Sequence, residues 1–201
     1  MLDRAATALI KPIVTRAARV LVRYRISANQ MTLLGFGIGL VAAALVAAGA
    51  YLPAAAAILL SRLCDVLDGA IARETTITDA GGFLDIALDF LFYAAIPLAF
   101  ALSDPARNAL PGAALLAAFV GTMSSFLAFA VMAAKRNLSN LAYPGKSFYF
   151  LGGLTEATET LLFFIAMCLW PRFFPALAYG FAALCALTTA TRIWWGWRSF
   201  S

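Results

Sequence analysis

Apolar residues run along this chain in blocks separated by short polar turns, and most blocks approach the ~20 residues that a helix needs to cross hydrocarbon. They fall near 30–50, 54–73, 81–102, 110–134, 149–170 and 174–195. Repeated runs of that length do not suit a soluble fold, so the pattern predicts an all-α integral membrane protein with six transmembrane helices. Ahead of the first block, residues 1–25 set Leu2, Leu9, Ile10, Ile13, Val14, Ala17, Val20 and Leu21 on one half of a helical wheel, with Lys11, Arg16, Arg19 and Arg23 opposite. That is the pattern of an amphipathic helix lying in the membrane interface, basic side toward anionic headgroups, kinked or restarted at Pro12. A basic flank that only sets topology is the plainer reading of the same residues. The segment is too basic and too weakly apolar for a signal peptide.

The charges that remain give the blocks a direction. If the helices alternate, Arg73, Lys135, Arg136, Lys146, Arg192 and Arg198 all fall on the side of the N-terminus, and the other side receives Arg107 and Arg172. The positive-inside rule then places both termini in the cytoplasm and requires an even number of spans. With 63% hydrophobic and 12% charged residues over 201 positions, the composition agrees. Cys64, Cys168 and Cys185 lie inside apolar blocks without metal-like spacing and read as small core residues. The chain has no histidine, so acid–base chemistry must use carboxylates, lysine or tyrosine.

Against this apolar background, two helices carry acids. Arg62-Leu-Cys-Asp65-Val-Leu-Asp68-Gly69-Ala-Ile-Ala72-Arg73 is followed by a short turn and by Gly81-Gly82-Phe-Leu-Asp85-Ile-Ala-Leu-Asp89. An ionised carboxylate facing lipid costs several kcal/mol, so these aspartates must face inward and have partners. Asp65 and Asp68 are three apart and Asp85 and Asp89 four apart, so each pair shares a helix face. A turn as short as 74–80 makes the two helices antiparallel neighbours and brings both pairs together near the cytoplasmic end. Four clustered carboxylates predict a site for a hard divalent cation, Mg²⁺, Mn²⁺ or Ca²⁺. Gly69 and Ala72 leave room for a flat base or a phosphate, and Arg73 can meet a phosphate. The competing reading is an ion-pair network in which Arg62 pairs with Asp65 and Arg73 with another acid.

The run Asp65-x-x-Asp68-Gly69-x-x-Ala72-Arg73, then Gly81-x-x-x-Asp85-x-x-x-Asp89, resembles the signature of the CDP-alcohol phosphatidyltransferases, six-helix membrane enzymes that build phospholipid headgroups. Ser27-Ala-Asn29-Gln30-Met-Thr32 is similar to that family's entry to its first span; physically it is a helix start, with Ser27 as cap and Gln30 three residues on. One departure stands out. The family usually has eight residues between the arginine and the glycine; here Arg73 and Gly81 enclose seven, and Gly82, which restores the count, stands only three before Asp85. The resemblance implies that Asp65, Asp68, Asp85 and Asp89 organise a metal site with Mg²⁺ or Mn²⁺, that Asp89 is also the base for the acceptor hydroxyl, and that Gly69, Ala72 and Arg73 border the CDP moiety. It further implies CDP-diacylglycerol as donor, CMP as product and a homodimer, while the compact Ala- and Gly-rich composition without a targeting segment points to a bacterial inner-membrane location among membrane lipids. Residues 1–25 then form a juxtamembrane helix and 26–201 the catalytic domain. No nucleic-acid partner is expected.

The acceptor is less legible. Lys135, Arg136 and Lys146 cluster in one loop on the same side, suited to a phosphorylated acceptor, to the CDP diphosphate, or to topology alone. Glu156 and Glu159, three apart in the fifth block, suit a polyol or a cationic alcohol, or pair with a base such as Arg192 or Arg62. Thr122, Ser124 and Ser125 read as a helix-packing patch, and Trp194, Trp195 and Trp197 as an interfacial belt. Two other functions fit the same charges: transfer from a soluble CDP-alcohol to diacylglycerol, and cation-coupled transport. Transporters usually hold such charges at mid-membrane between repeated halves, and no repeat is visible here.

Overall fold

In this computed structural model, which describes residues 2–136 and 155–201 and side chains from residue 11 onward, the apolar blocks become helices and no strand is present among the described residues. In chain order they are α1 (Leu2–Arg23), α2 (Ala28–Ala47), α3 (Tyr51–Glu74), α4 (Asp79–Ser103), α5 (Pro105–Lys135), α6 (Ala157–Leu169) and α7 (Phe174–Phe200), with a 3-10 turn at Pro171–Phe173 before α7. Among the described residues, four stretches are long and apolar enough to cross a membrane: α2, α4, α5, and the 3-10 turn taken together with α7. α3, at 24 residues, has the length but carries Arg62, Asp65, Asp68 and Arg73 in its second half. α6, at 13 residues, is apolar but short.

Local chemistry explains the boundaries. Ser27 caps α2 as expected: its Oγ accepts from the Gln30 amide at 3.2 Å while the Gln30 side chain accepts from the Ser27 amide at 2.9 Å. α2 ends at Gly49, whose φ of +75° lets the Ala50 amide reach back to the Leu45 carbonyl at 2.8 Å. Thr78 caps α4 by accepting from the Gly81 amide at 3.1 Å.

α1 differs from its expected form. It is one continuous helix through Pro12 rather than two pieces. Its buried stripe is also narrower than the wheel suggested. Val14 and Ala18 pack with Met31, Cys64, Ala70 and Ile71, while Ile13 and Val20 point outward with the basic residues. Arg19 ties α1 to the end of α3 through Glu74 at 3.1 Å.

The central helix is α2, which packs against both α3 and α4; α5 packs on α4 and α7, and α6 on α3. α3 and α4, expected as direct antiparallel neighbours, make little backbone contact with each other and splay around α2. Two glycines one turn apart let them come close to it. A Cβ on Gly35 would stand 2.9 Å from the Cys64 Cβ of α3, and one on Gly39 would stand 2.6 Å from the Phe92 ring of α4. The core is aromatic: Phe92, Phe100, Phe164, Phe174 and Phe181 are fully buried, and Phe100 stacks on Phe174 with centroids 4.5 Å apart. The outer faces carry Leu33, Leu40, Leu59, Leu91, Leu98 and Val120, as a surface bathed in lipid requires. The three cysteines are buried and free, as expected. Arg107 donates to the Arg172 carbonyl, and Arg136 to the Ser199 and Phe200 carbonyls.

Gly39→Ala forces a methyl into the Phe92 ring and is expected to destabilise the bundle by about 1–3 kcal/mol, read as a lowered Tm of the purified protein; Gly37→Ala, at an open site on the same helix, is expected to leave Tm unchanged.

Candidate active site

Because α3 and α4 splay, a cavity of about 440 Å³ opens between them and extends toward α5, α6 and α7. Asp68, Gly69, Ala72 and Arg73 of α3 line it on one side and Gly81, Asp85 and Asp89 of α4 on the other, with Asn29 and Thr32 of α2 at its edge. The helical periods deliver this directly: residues three or four apart share a face, and both acid-bearing faces turn inward. Gly81 is the glycine seated tightly, since a Cβ there would come within 3.1 Å of Asn29 Oδ1 and 3.0 Å of Thr78 Oγ1. Arg73 folds back over Gly69, its guanidinium 3.4 Å from where a Cβ on that glycine would stand.

Three of the four aspartates meet. Asp65, Asp68 and Asp85 each offer an oxygen, and these atoms all lie within 4.8 Å of one another. Asp68 is buried, and its Oδ2 has no hydrogen-bond partner among the described residues. A carboxylate oxygen removed from water without a donor is strongly unfavourable, and a cation supplies the missing partner. The set is all oxygen, which suits Mg²⁺ or Mn²⁺. The residues therefore fit a divalent ion.

Asp89, the fourth, is held by Arg62. The Arg62 Nη1 donates to Asp89 Oδ1 at 2.6 Å and stands 3.3 Å from Asp65 Oδ1. The pairing of Arg62 with Asp65, offered by the sequence as part of an ion-pair network, is thus present beside the three-carboxylate group. Its guanidinium is held over the Phe92 ring at 4.1 Å from the centroid and near Tyr93 at 5.6 Å.

A second polar region lies deeper in the cavity, around residues 155–160, α5 and α7. Glu156 and Arg192 are both buried and both line it. Arg192 Nη1 donates to the Thr122 carbonyl at 3.1 Å, and its Nε has no partner among the described residues. Thr155 is tied to α7 through Thr188 Oγ1, at 3.2 Å from its amide and 2.9 Å from its hydroxyl. Glu159 does not line the cavity; its carboxylate accepts from the Glu156 amide at 3.1 Å and completes the cap of α6. Lys135 is exposed, and Arg136 is engaged with the last turn of α7, so neither reaches the cavity wall. Lys146 lies outside the described residues.

Several lining residues escaped the sequence reading. Tyr93 follows Asp89 by one turn and was hidden among apolar neighbours, though the four-residue step carried the signal. Asn29 and Thr32 belong to the run that marks the entry to the first span, and the sequence assigns them no part in the cavity. Thr122 was read as packing, yet it contributes both a cavity wall and the carbonyl that holds Arg192.

A helical bundle with carboxylates converging beside a small-residue, arginine-bearing surface suits phosphoryl transfer. The match to the CDP-alcohol phosphatidyltransferase pattern covers residues 25–195, and the chain belongs to that family. It is a membrane phosphotransferase enzyme, which sets aside the transporter alternative. It is 54% identical over 197 residues to the inner membrane protein YnjF of Escherichia coli (strain K12), covering 98% of this chain and 96% of that one. Its fold is similar to that of the Mycobacterium tuberculosis phosphatidylinositol phosphate synthase PgsA1 solved with CDP-DAG bound, with a TM-score of 0.70 at 22% identity over 92% of this chain and 94% of that one. The same protein solved in complex with manganese and citrate gives the same score and identity, over 92% and 88%.

Thr188→Val removes the hydroxyl that serves both the amide and the hydroxyl of Thr155. It is expected to destabilise the α6–α7 junction by about 1–3 kcal/mol, measured as a lowered Tm, whereas Thr191→Val, which breaks one intrahelical bond, is expected to have little effect.

Proposed function

We propose that the chain transfers a phosphatidyl group from CDP-diacylglycerol to a small alcohol or polyol, free or phosphorylated, and releases CMP in phospholipid biosynthesis. The observation that carries this reading is the convergence of Asp68, Asp85 and Asp89 with Gly69, Ala72 and Arg73 on one cavity. The solved relative with CDP-DAG bound supports the donor. The manganese complex of that relative supports a divalent cofactor, Mg²⁺ or Mn²⁺.

In this reading Asp65, Asp68 and Asp85 hold the ion, with Asp89 completing the carboxylate set. When bound, the ion supplies positive charge beside the diphosphate and the departing CMP. Gly69 and Ala72, lacking bulk, admit the cytidine and diphosphate against α3, and Arg73 meets a phosphate. The acceptor oxygen attacks the phosphorus that bears diacylglycerol, the bond from that phosphorus to the CMP oxygen breaks, and Asp89 takes the acceptor's proton on a carboxylate oxygen. No covalent enzyme intermediate is required. Glu156, on the far wall, faces the acceptor, and Lys146 is a further candidate for meeting it, whereas Lys135, Arg136 and Glu159 stand off the cavity wall.

The six-span arrangement is part of the proposal. α3 is long enough to cross, at ~1.5 Å per residue over its 24 residues; its Asp68 and Arg73 line the cavity, Arg62 pairs with Asp65, and Glu74 with Arg19. α6 falls within the fifth expected block, 149–170. Both termini in the cytoplasm, residues 1–25 as a juxtamembrane helix before the catalytic domain, a homodimer, and the bacterial inner membrane complete it. The reversed reaction, a soluble CDP-alcohol with diacylglycerol as acceptor, is the second reading.

The decisive assay is CMP release by purified protein from CDP-diacylglycerol across a panel of alcohols, with and without Mg²⁺ or Mn²⁺. Release is expected only with both metal and acceptor, and Asp89→Asn is expected to lower it by about 10²–10⁴-fold. Asp68→Asn is expected to weaken Mn²⁺ binding by at least about 100-fold in a titration followed by electron paramagnetic resonance. Turnover of CDP-choline or CDP-ethanolamine with diacylglycerol, and none of CDP-diacylglycerol, would reverse the donor assignment.

A further inference from the structure

We propose that Arg62 is the positioning residue of the site, a fixed cation that orients Asp89 and Asp65 independently of the divalent ion; the inference rests on the phosphatidyltransferase reading above. Arg62 lies one turn before Asp65, outside the motif that spans 65–89, and its side chain is only 10% exposed. A buried arginine in an apolar helix persists only where its charge and its donors are used. Here its Nη1 meets Asp89 of α4 at 2.6 Å and Asp65 of α3 at 3.3 Å, so one nitrogen joins the two acid-bearing helices where their backbones stand apart.

The guanidinium has further contacts, although its buried Nε has no hydrogen-bond partner among the described residues. Its plane lies over Phe92, 4.1 Å from the ring centroid, and Tyr93 flanks it at 5.6 Å. Nη2 reaches the Ser61 hydroxyl at 3.4 Å, and that hydroxyl donates to the Gly35 carbonyl of α2 at 2.7 Å. The orientation of Asp89 is therefore referred to α2, the helix against which α3 and α4 both pack. Restraint of that kind matters because a displacement near 1 Å at a reacting group can cost about 100-fold in rate.

The role separates from simple structural support by its effect on metal binding. Arg62 is a cation beside Asp65, so removing its charge leaves the carboxylate group more attractive to Mn²⁺ while Asp89 loses its anchor. Arg62→Gln is expected to lower kcat by about 30-fold or more while Mn²⁺ binds at least as tightly as to the unaltered protein. Arg62→Lys keeps the charge but not the planar fork, and is expected to recover part of that loss with Tm near the parent value.

The experiment measures kcat, the acceptor KM, Mn²⁺ affinity by electron paramagnetic resonance and Tm for the parent, Arg62→Gln and Arg62→Lys in the same lipid nanodiscs. A lowered kcat with undiminished Mn²⁺ affinity in Arg62→Gln, partly restored in Arg62→Lys, supports positioning. A kcat within about threefold of the parent in folded Arg62→Gln, or a loss that excess Mn²⁺ reverses, overturns it. If Arg62→Gln does not fold, Arg62→Lys decides: a parental kcat overturns the proposal and a reduced kcat at parental Tm and Mn²⁺ affinity supports it. Absence of CMP release by the parent protein would instead remove the phosphatidyltransferase reading, a result distinct from any of these.

Discussion

Everything distinctive in this structure follows from placing several negative charges inside an apolar bundle. A lone carboxylate among lipid-facing leucines is untenable, so the acids must turn inward, collect, and find positive partners. Asp65, Asp68 and Asp85 gather closely enough to share a cation, and Asp89 and Asp65 share Arg62. The bundle is arranged to allow this. α2 stands against both acid-bearing helices and holds them apart, so the space between them is a cleft lined by charge rather than a packed seam.

That arrangement divides the labour between two kinds of residue. Apolar and small groups determine where the helices lie: Gly35 and Gly39 receive Cys64 and Phe92, and the buried phenylalanines fill the layer beneath the cavity. Polar groups then act only where those positions bring them. Phe92 belongs to both sets, because the ring that seats against Gly39 also carries the Arg62 guanidinium. Core packing and site geometry are continuous through that one side chain.

The helix content and the four aspartates were legible because each rests on a short-range rule. Runs of apolar residues specify helices in a membrane, and spacings of three and four specify a shared face whatever surrounds it. The Ser27–Gln30 cap was legible for the same reason. What escaped the sequence depends on contacts between distant segments. The splay of α3 from α4 is imposed by α2, and no local spacing in 62–89 announces it. The buried stripe of α1 is narrower than its wheel because only the residues meeting α3 are covered, which leaves Ile13 and Val20 outside. Arg136 sits in a loop that composition paints as one basic patch, yet it caps the end of α7. Glu159 likewise reads as a membrane-buried acid but serves as a helix cap.

The two glycines of α2 have a consequence for how this enzyme could change over time. Because α3 and α4 are spaced by what they rest on, the separation of their carboxylates is set by atoms that carry no charge and touch no ligand. Oxygen–metal distances differ by only a few tenths of an ångström between small and large divalent ions. A methyl group gained beneath Cys64 or Phe92 acts on that scale, so ion preference in this scaffold can drift through its packing while every aspartate stays in place.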